Sequence, residues 1–420
     1  MAGLATRALT SALSRLVRRG RLELTDAEGT THRFGDGDPA WPDVAIRLGD
    51  ARVARDIVRD PRLGAAEAFL DGRLVFDRGD VMQLATLAQG GAGGPKREVR
   101  LEDLSTRARR RWTRMRQHAN HRAAARANVA HHYDLDDRLY DRFLDPWRQY
   151  SCAYWTDDTP DLAAAQRAKI AHIAAKLDLR PEHRLLDIGC GWGGLAIALH
   201  RLSGAEVTGI TLSQPQRDYA TRWAEREGVA DRVLFELIDY RDVAGQFDRI
   251  VSVGMFEHVG TPHYPEYFRR VAGLLRGDGV ALIHSIGRSD GPGLTDAFTR
   301  KYIFPGGYIP ALSEVLPSVE AAGLIATDVE ILRLHYARTL RAWYDACLAA
   351  RAELEVVYDE RFFRLWTFYL AGATAAFEHG GMMNFQLQLT RNVSTLPLTR
   401  DYMAEKERKY RVALETASSG

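Results

Sequence analysis

The six residues Gly189-Cys190-Gly191-Trp192-Gly193-Gly194 follow directly on Arg184-Leu185-Leu186-Asp187-Ile188. The apolar run reads as a buried strand and Leu195–Leu202 as the next helix. Glycines between them allow positive φ and let the backbone approach a ligand closely. Alone, such a turn is a weak signal, because dinucleotide-binding proteins use a similar one. Two features favour S-adenosylmethionine. Asp187 stands just before the turn, where a carboxylate can hold a cationic amino group, and the spacing differs from GxGxxG. Further on, Glu257-His258 and His284 close two later strands, at the end of the sheet where ligands bind. A carboxylate and an imidazole there can move or orient a proton. Each has a duller reading, a helix cap for Glu257 and a satisfied core histidine for His284.

The elements that position these residues alternate. Strands are predicted at Val207–Leu212, Val233–Asp239, Asp248–Gly254 and Gly279–Ile286, with helices at Gln214–Glu227 and Tyr264–Leu275. This is the pattern of an α/β fold with a doubly wound, mostly parallel, Rossmann-like sheet. A helix near Pro310–Ala322, a strand near Thr327–Leu332, long helices to about Glu378 and a strand at Phe385–Thr390 complete the domain. The long helices form an insertion that could roof an apolar pocket. Ahead of this lies a small α+β domain, with a hairpin at Leu22–Leu24 and Thr30–Phe34 around Glu28-Gly29. Short strands are expected at Val44–Leu48 and Arg52–Val53, and a helix at Val81–Leu87. The division expected is 1–89, a glycine-rich and basic linker at 90–126, and a catalytic domain at 127–420.

Composition narrows the class. The chain has 420 residues, 46% hydrophobic and 27% charged, with a net charge of +2, which excludes a disordered or collagen-like chain. Its three cysteines, Cys152, Cys190 and Cys347, form no CxxC pair, so neither a disulfide scaffold nor a thiolate zinc site is expected, and no metal. No uncharged run approaches the ~20 residues that span a bilayer. Residues 1–21 carry Arg7, Arg15, Arg18, Arg19 and Arg21 and no acid, with Leu9, Leu13, Leu16 and Val17 at helical spacing. That pattern suits an anionic membrane surface, an organelle transit peptide, or a helix docked on its own domain. From Lys96 to Arg126, eleven Lys/Arg oppose three acids, a net +8. Nucleic acid, anionic lipid and a solvated helix all fit that charge.

Several strings in order resemble the cyclopropane-fatty-acyl-phospholipid synthase family, the lipid methyltransferases that include mycolic acid cyclopropane synthases. They are His132-Tyr133-Asp134-Leu135, Gln149-Tyr150-Ser151-Cys152-Ala153-Tyr154-Trp155, Leu186–Gly193, Gly209–Ser213, Val253–Gly260, His284–Arg288 and Lys301–Gly307. The resemblance covers about 130–390, and residues 1–89 are similar in kind to the lipid-binding-like N-terminal domain of bacterial members. It implies transfer of the methyl carbon of S-adenosyl-L-methionine to a cis double bond of a phospholipid acyl chain, then cyclopropane closure. It places a bound bicarbonate, the base of the reaction, among Cys152, Glu257, His284, the backbone at Ile286, and Tyr336. Cofactor contacts carry over to Tyr150, Ser151, Gly189, Gly191, Thr211, Leu212, Gln216, Asp239 and Tyr240. Asp187 and Gly193 join them from the turn itself. An inert buried thiol is the plain alternative for Cys152, and packing for Tyr336. Ser213-x-x-Gln216 also reads as a capping box. One departure is Ala373, where many members have cysteine, so an essential thiol at that position is excluded.

The chain is thus expected to be a cytoplasmic enzyme held peripherally on an anionic membrane surface. Unsaturated phospholipids are its expected partners, no nucleic acid is expected, and a homodimer is left open. A methyl-branched or methylene product is the sibling alternative. A nucleic-acid methyltransferase would explain the +8 segment but would need a polar base-reading pocket. A non-catalytic lipid binder would leave Glu257, His284 and the glycine turn idle.

Overall fold

The computed structural model describes residues 2–90 and 137–417. The basic segment Lys96–Arg126, most of the expected linker and the His132–Leu135 string lie outside the described residues. The described chain forms two compact units. One gathers 2–90, Thr295–Phe304 and Ala337–Met382, and the other gathers 137–294, Pro305–Tyr336 and 383–417.

In the first unit, β1 (Arg21–Thr25) and β2 (Thr31–Phe34) form the expected hairpin, closed by Asp26, which accepts the Glu28 and Thr30 N–H groups. β3 (Asp43–Leu48) runs parallel to β1 and β4 (Leu74–Arg78) antiparallel to β3, in the order β2-β1-β3-β4. The strand expected at Arg52–Val53 is instead the start of helix Ala51–Arg59. Asp50 accepts the Arg52 N–H at 2.7 Å and caps that helix. The basic N-terminal helix, Ala2–Leu16, packs on its own unit, with Leu9 and the following Val17 buried beside Leu22, Leu24 and Leu87. Arg7, Arg15, Arg18 and Arg19 stay exposed.

The helices after 336 depart from the expected division at 127–420. Helix Glu360–His379 lies along Val81–Gly90, and Gln89 donates to the Gly372 carbonyl at 3.0 Å. Arg361 meets Asp71 at 3.0 Å, while Lys301 and Tyr302 both reach Glu67, at 2.6 and 2.9 Å. These bonds tie the insertion to the first unit, and Phe298, Ile303 and Phe368 pack with Ala66 there. Within helix Glu360–His379, Phe363, Trp366 and Leu370 are buried, and Phe362 stacks on Trp366.

The second unit holds seven strands: β5 (Arg184–Ile188), β6 (Glu206–Thr211), β7 (Val233–Leu237), β8 (Phe247–Val253), β9 (Leu275–Arg288), β10 (Ile325–Leu332) and β11 (Met382–Thr390). Their order is β10-β11-β9-β8-β5-β6-β7; β5 to β9 pair in parallel and β10 pairs antiparallel with β11. Successive strand residues feed opposite faces. Leu186, Ile250 and Ile283 pack under helix Tyr264–Leu274, while Leu185, Val251 and Leu282 pack with helices Leu162–Lys176 and Gly194–Ser203. Burial on both faces is why these strands read as near-continuous apolar runs. β5 has β6 on one side and β8 on the other, so the chain reverses direction across the sheet at its carboxyl end. A ligand crevice forms at such a point. Among the described residues no helix is long and apolar enough to cross a membrane, and no His/Cys/Asp/Glu group could hold a metal ion.

Candidate active site

The turn after β5 opens a pocket at this switch point. Tyr150, Ser151, Asp187, Gly189, Gly191, Thr211, Leu212, Gln216, Asp239 and Tyr240 all line it, joined by Arg148, Gln149, Met255, His258 and Gly306. Of the expected cofactor residues, Gly193 does not. It caps helix Gly194–Ser203 in the left-handed conformation, φ +88°, and a Cβ there would strike Phe235 and Ala220. Its glycine is needed for packing. Gly191 is the opposite case, with φ +54° and nothing within 4 Å of a Cβ built on it, so the turn leaves open space beside its backbone.

Asp187 ends β5 at 1% exposure, and its Oδ2 has no hydrogen-bond partner. A buried, unsatisfied carboxylate oxygen costs on the order of 1–3 kcal/mol or more. Burial raises its pKa to about 7, against the pull of Lys169. A cationic amino group is the partner such an oxygen lacks. Thr211 donates to Gln216 Oε1 at 2.9 Å, and Ser213 accepts the Gln216 N–H at 3.4 Å as helix cap. Gln216 therefore both starts its helix and faces the pocket. Asp239 is gripped by the Arg241 guanidinium at 2.6 and 2.8 Å, so an adenine amine would share that carboxylate with Arg241.

Beyond β8, Phe256–His258 forms one turn of 3₁₀ helix, held by the Tyr308 N–H on the Glu257 carbonyl at 2.9 Å. The Glu257 carboxylate caps no helix. Its Oε1 accepts the Ile286 N–H from β9 at 2.6 Å, and its buried Oε2 has no partner. Burial raises this carboxyl to about 7, opposed by the Ile286 N–H, its own backbone N–H and, most weakly, the nearby Ser285 hydroxyl. His258, beside it on the pocket wall, is depressed by burial to about 4 and is neutral.

His284 is also neutral, depressed to about 3, first by burial and then by Lys169 and Lys176. Its two ring nitrogens face the Asn384 and Gln386 amides at 3.3 and 3.1 Å. A neutral imidazole donates once and accepts once, so one of those amides presents its oxygen. Both ring nitrogens thus have an amide neighbour on β11. Cys152 is buried, its thiol directed to the Ala153 carbonyl at 3.4 Å, and burial drives its pKa far up, so no thiolate forms. Tyr336 is 7% exposed. Its neighbour His335 accepts the Trp155 N–H at 2.9 Å and stacks on Tyr154, which sets this step beside the Ser151–Trp155 strip. Of the five expected catalytic residues, Glu257 and Ile286 are joined directly. Cys152, His284 and Tyr336 lie, like them, outside the residues lining the cofactor pocket.

Sequence reasoning missed Lys169 and Gln166, which lie beneath Gln149 and Ser151. Their helix, Leu162–Lys176, is buried on nearly all sides, and its Gln, Lys and His side chains hide that from hydropathy.

A glycine turn at the switch point, a buried unpartnered carboxylate before it and a seven-stranded, mostly parallel sheet define a Rossmann-like, S-adenosylmethionine-dependent methyltransferase. The family model described as mycolic acid cyclopropane synthetase matches residues 120–387. The chain belongs to that family. It is 37% identical to cyclopropane-fatty-acyl-phospholipid synthase of Escherichia coli (strain K12), covering 83% of this chain and 88% of that one. It is 34% identical to tuberculostearic acid methyltransferase UfaA1 of Mycobacterium tuberculosis (strain ATCC 25618 / H37Rv), covering 90% of each. The crystal structure of mycolic acid cyclopropane synthase CmaA1 complexed with SAH and CTAB superposes with a TM-score of 0.60 at 34% identity, over 63% of this chain and 97% of that one. The chain is accordingly an S-adenosylmethionine-dependent lipid methyltransferase.

Proposed function

We propose that the enzyme adds the methyl carbon of S-adenosylmethionine across a cis double bond of an unsaturated phospholipid acyl chain and closes a cyclopropane ring. One observation carries the chemistry. Glu257 is a buried carboxyl with one oxygen fixed by the Ile286 N–H and the other unpartnered, and burial raises its pKa to about 7. The cofactor supplies an electrophilic methyl group, and Asp187, Gln216 and the backbone at Gly191 are the groups that would hold it. Addition to the alkene leaves a carbocation on the acyl chain, and loss of a proton from the new methyl carbon lets the ring close. That proton needs a base. A bare second anion beside ionised Glu257 would be repelled, but Glu257 Oε2 could accept the hydroxyl proton of a bicarbonate, which when bound would supply the base. Glu257 thereby orients the base. Cys152 and Tyr336 are the further donors in this reading, and His284 enters only by exchanging one amide partner.

The product tests the reading. Lipids from cells expressing the chain should gain one CH₂ per modified acyl chain, with upfield cyclopropane proton signals in NMR. Alkene or branched-methyl signals alone would replace ring closure with simple methylation. That second reading has its own support in the relative named for tuberculostearic acid methylation.

Access to the lipid is proposed to be peripheral. Exposed Arg7, Arg15, Arg18 and Arg19 stand on or beside the N-terminal helix, and the +8 segment adds to them. Each surface-facing cation contributes on the order of 1 kcal/mol toward an anionic leaflet, less with salt. In vesicle flotation, binding should rise with anionic lipid and fall with salt. Reversing Arg109, Arg110 and Arg111 to Glu should weaken it without changing affinity for S-adenosylhomocysteine. Wild-type flotation by the triple variant would move membrane docking elsewhere.

A further inference from the structure

Helix Leu162–Lys176 buries a lysine that the reaction does not use. Lys169 is 0% exposed, and among the described residues no carboxylate lies within ion-pair distance of it. Its Nζ donates instead to two neutral oxygens, Gln149 Oε1 and Ser151 Oγ, each at 2.7 Å. Withdrawing an ammonium from water costs several kcal/mol, and two neutral acceptors offset only part of that. Gln166, one turn earlier and equally buried, donates to the backbone carbonyls of the same two residues at 3.2 and 3.0 Å. Four bonds from one helix therefore converge on a three-residue strip, Gln149–Ser151, every residue of which lines the cofactor pocket. A packing role alone would be served better by an apolar side chain of similar volume. The cation is placed where it fixes a hydroxyl and an amide on the pocket wall.

We propose that Lys169 is a positioning residue of the cofactor pocket, its buried ammonium holding Ser151 and Gln149 in the arrangement that binds S-adenosylmethionine. The inference rests on this pocket being the cofactor site. Its charge is set by the groups around it. Asp145 and Cys152 face it from the preceding loop, Asp187 from β5 and His284 from β9. Burial brings Lys169 down to about 8, with Asp145, Cys152 and Asp187 opposing. Cys152 and His284 stay neutral through that range. Asp187, at about 7, gains charge as pH rises and acts in the opposite sense, strengthening the hold on an amino group.

The test is calorimetry of S-adenosylhomocysteine binding to the full chain, with folding checked by circular dichroism. Lys169→Met should weaken binding about tenfold to a hundredfold, the range for loss of charge-assisted hydrogen bonds. The loss should be non-additive with Ser151→Ala, since both remove the same contact. Wild-type affinity should fall as pH rises through about 8 by more than the ligand's own amino group causes, and Lys169→Met should lack that excess. Lys176→Met, on the same helix but paired with Glu330 and Asp328, should lower the melting temperature and leave affinity within about twofold. A folded Lys169→Met with wild-type affinity and an unchanged pH profile overturns the proposal. Lys169→Gln replaces it where the methionine variant does not fold. If neither folds, binding of 5′-methylthioadenosine, which lacks the titrating α-amino group of the amino-acid portion, decides: flat wild-type affinity between about pH 7 and 9.5 overturns the proposal. A wild-type chain that binds no S-adenosylhomocysteine sinks the cofactor reading itself, which is a distinct result.

Discussion

Glu257→Gln is expected to lower turnover by about two to four decades while S-adenosylhomocysteine affinity stays within about twofold. The substitution preserves what the fold uses. A glutamine Oε1 can still accept the Ile286 N–H that Glu257 holds at 2.6 Å. The loss falls at the second oxygen, which is buried and unpartnered. An amide nitrogen there donates and cannot accept, so a bound base would lose the group that orients its proton. The pH profile gives an independent reading. If Glu257 must be ionised, kcat/KM should rise with pH through about 7, and that limb should vanish in the variant. The stability sign runs the other way. A carboxyl raised by burial favours the folded state while protonated, and that contribution is lost as pH climbs from its ordinary range, near 4.5, to about 7. Glu257→Gln should therefore melt like wild type near pH 4 and higher than wild type near pH 8. Near-wild-type turnover would remove Glu257 from the mechanism, whatever the melting curves show.

That split between stability and activity marks where local reasoning succeeds and where it stops. The sheet was legible because parallel strands buried on both faces leave unbroken apolar runs, and Asp187, the turn and Glu257 stand at strand ends that those runs locate. Helix Leu162–Lys176 was not legible. Its Gln166, Lys169, His172 and Lys176 look solvated by type, yet all are buried. Partners distant in the chain accommodate them, such as Glu330 and Glu407, which grip His172 at 2.6 and 2.8 Å. Burial opposes the His172 charge, and the two carboxylates prevail. The same blindness to distant partners misplaced the insertion, whose bonds to Asp71 and Gln89 span more than two hundred residues. It also left His284 open between two readings, because Asn384 and Gln386 lie a hundred residues away. The pattern of types along a chain reports each residue's usual environment. A functional or buried polar site is where the environment departs from the usual.

Gly191→Val is expected to raise the dissociation constant for S-adenosylhomocysteine by at least about a hundredfold, with the chain still folded. Two effects have to be separated. At φ +54° a β-branched residue is strained, costing roughly 1–2 kcal/mol of stability. That cost belongs to the turn and would be paid with or without a ligand. The second effect is occupancy. No protein atom lies within 4 Å of a Cβ at this position, and Gly191 lines the pocket, so the added bulk is expected to take space beside the turn that the proposed cofactor would use. Gly228 supplies the control, since it has φ +67°, equally open surroundings and no place in the pocket lining. Gly228→Val should lose a comparable amount of stability and keep its affinity. Gly191→Ala should fall between, with the same backbone strain and only one methyl group in the pocket. If strain alone governed binding, the two valine variants would behave alike in calorimetry. If Gly191→Val folds and binds S-adenosylhomocysteine as wild type does, the cofactor does not lie against this turn, and the whole pocket assignment falls with it.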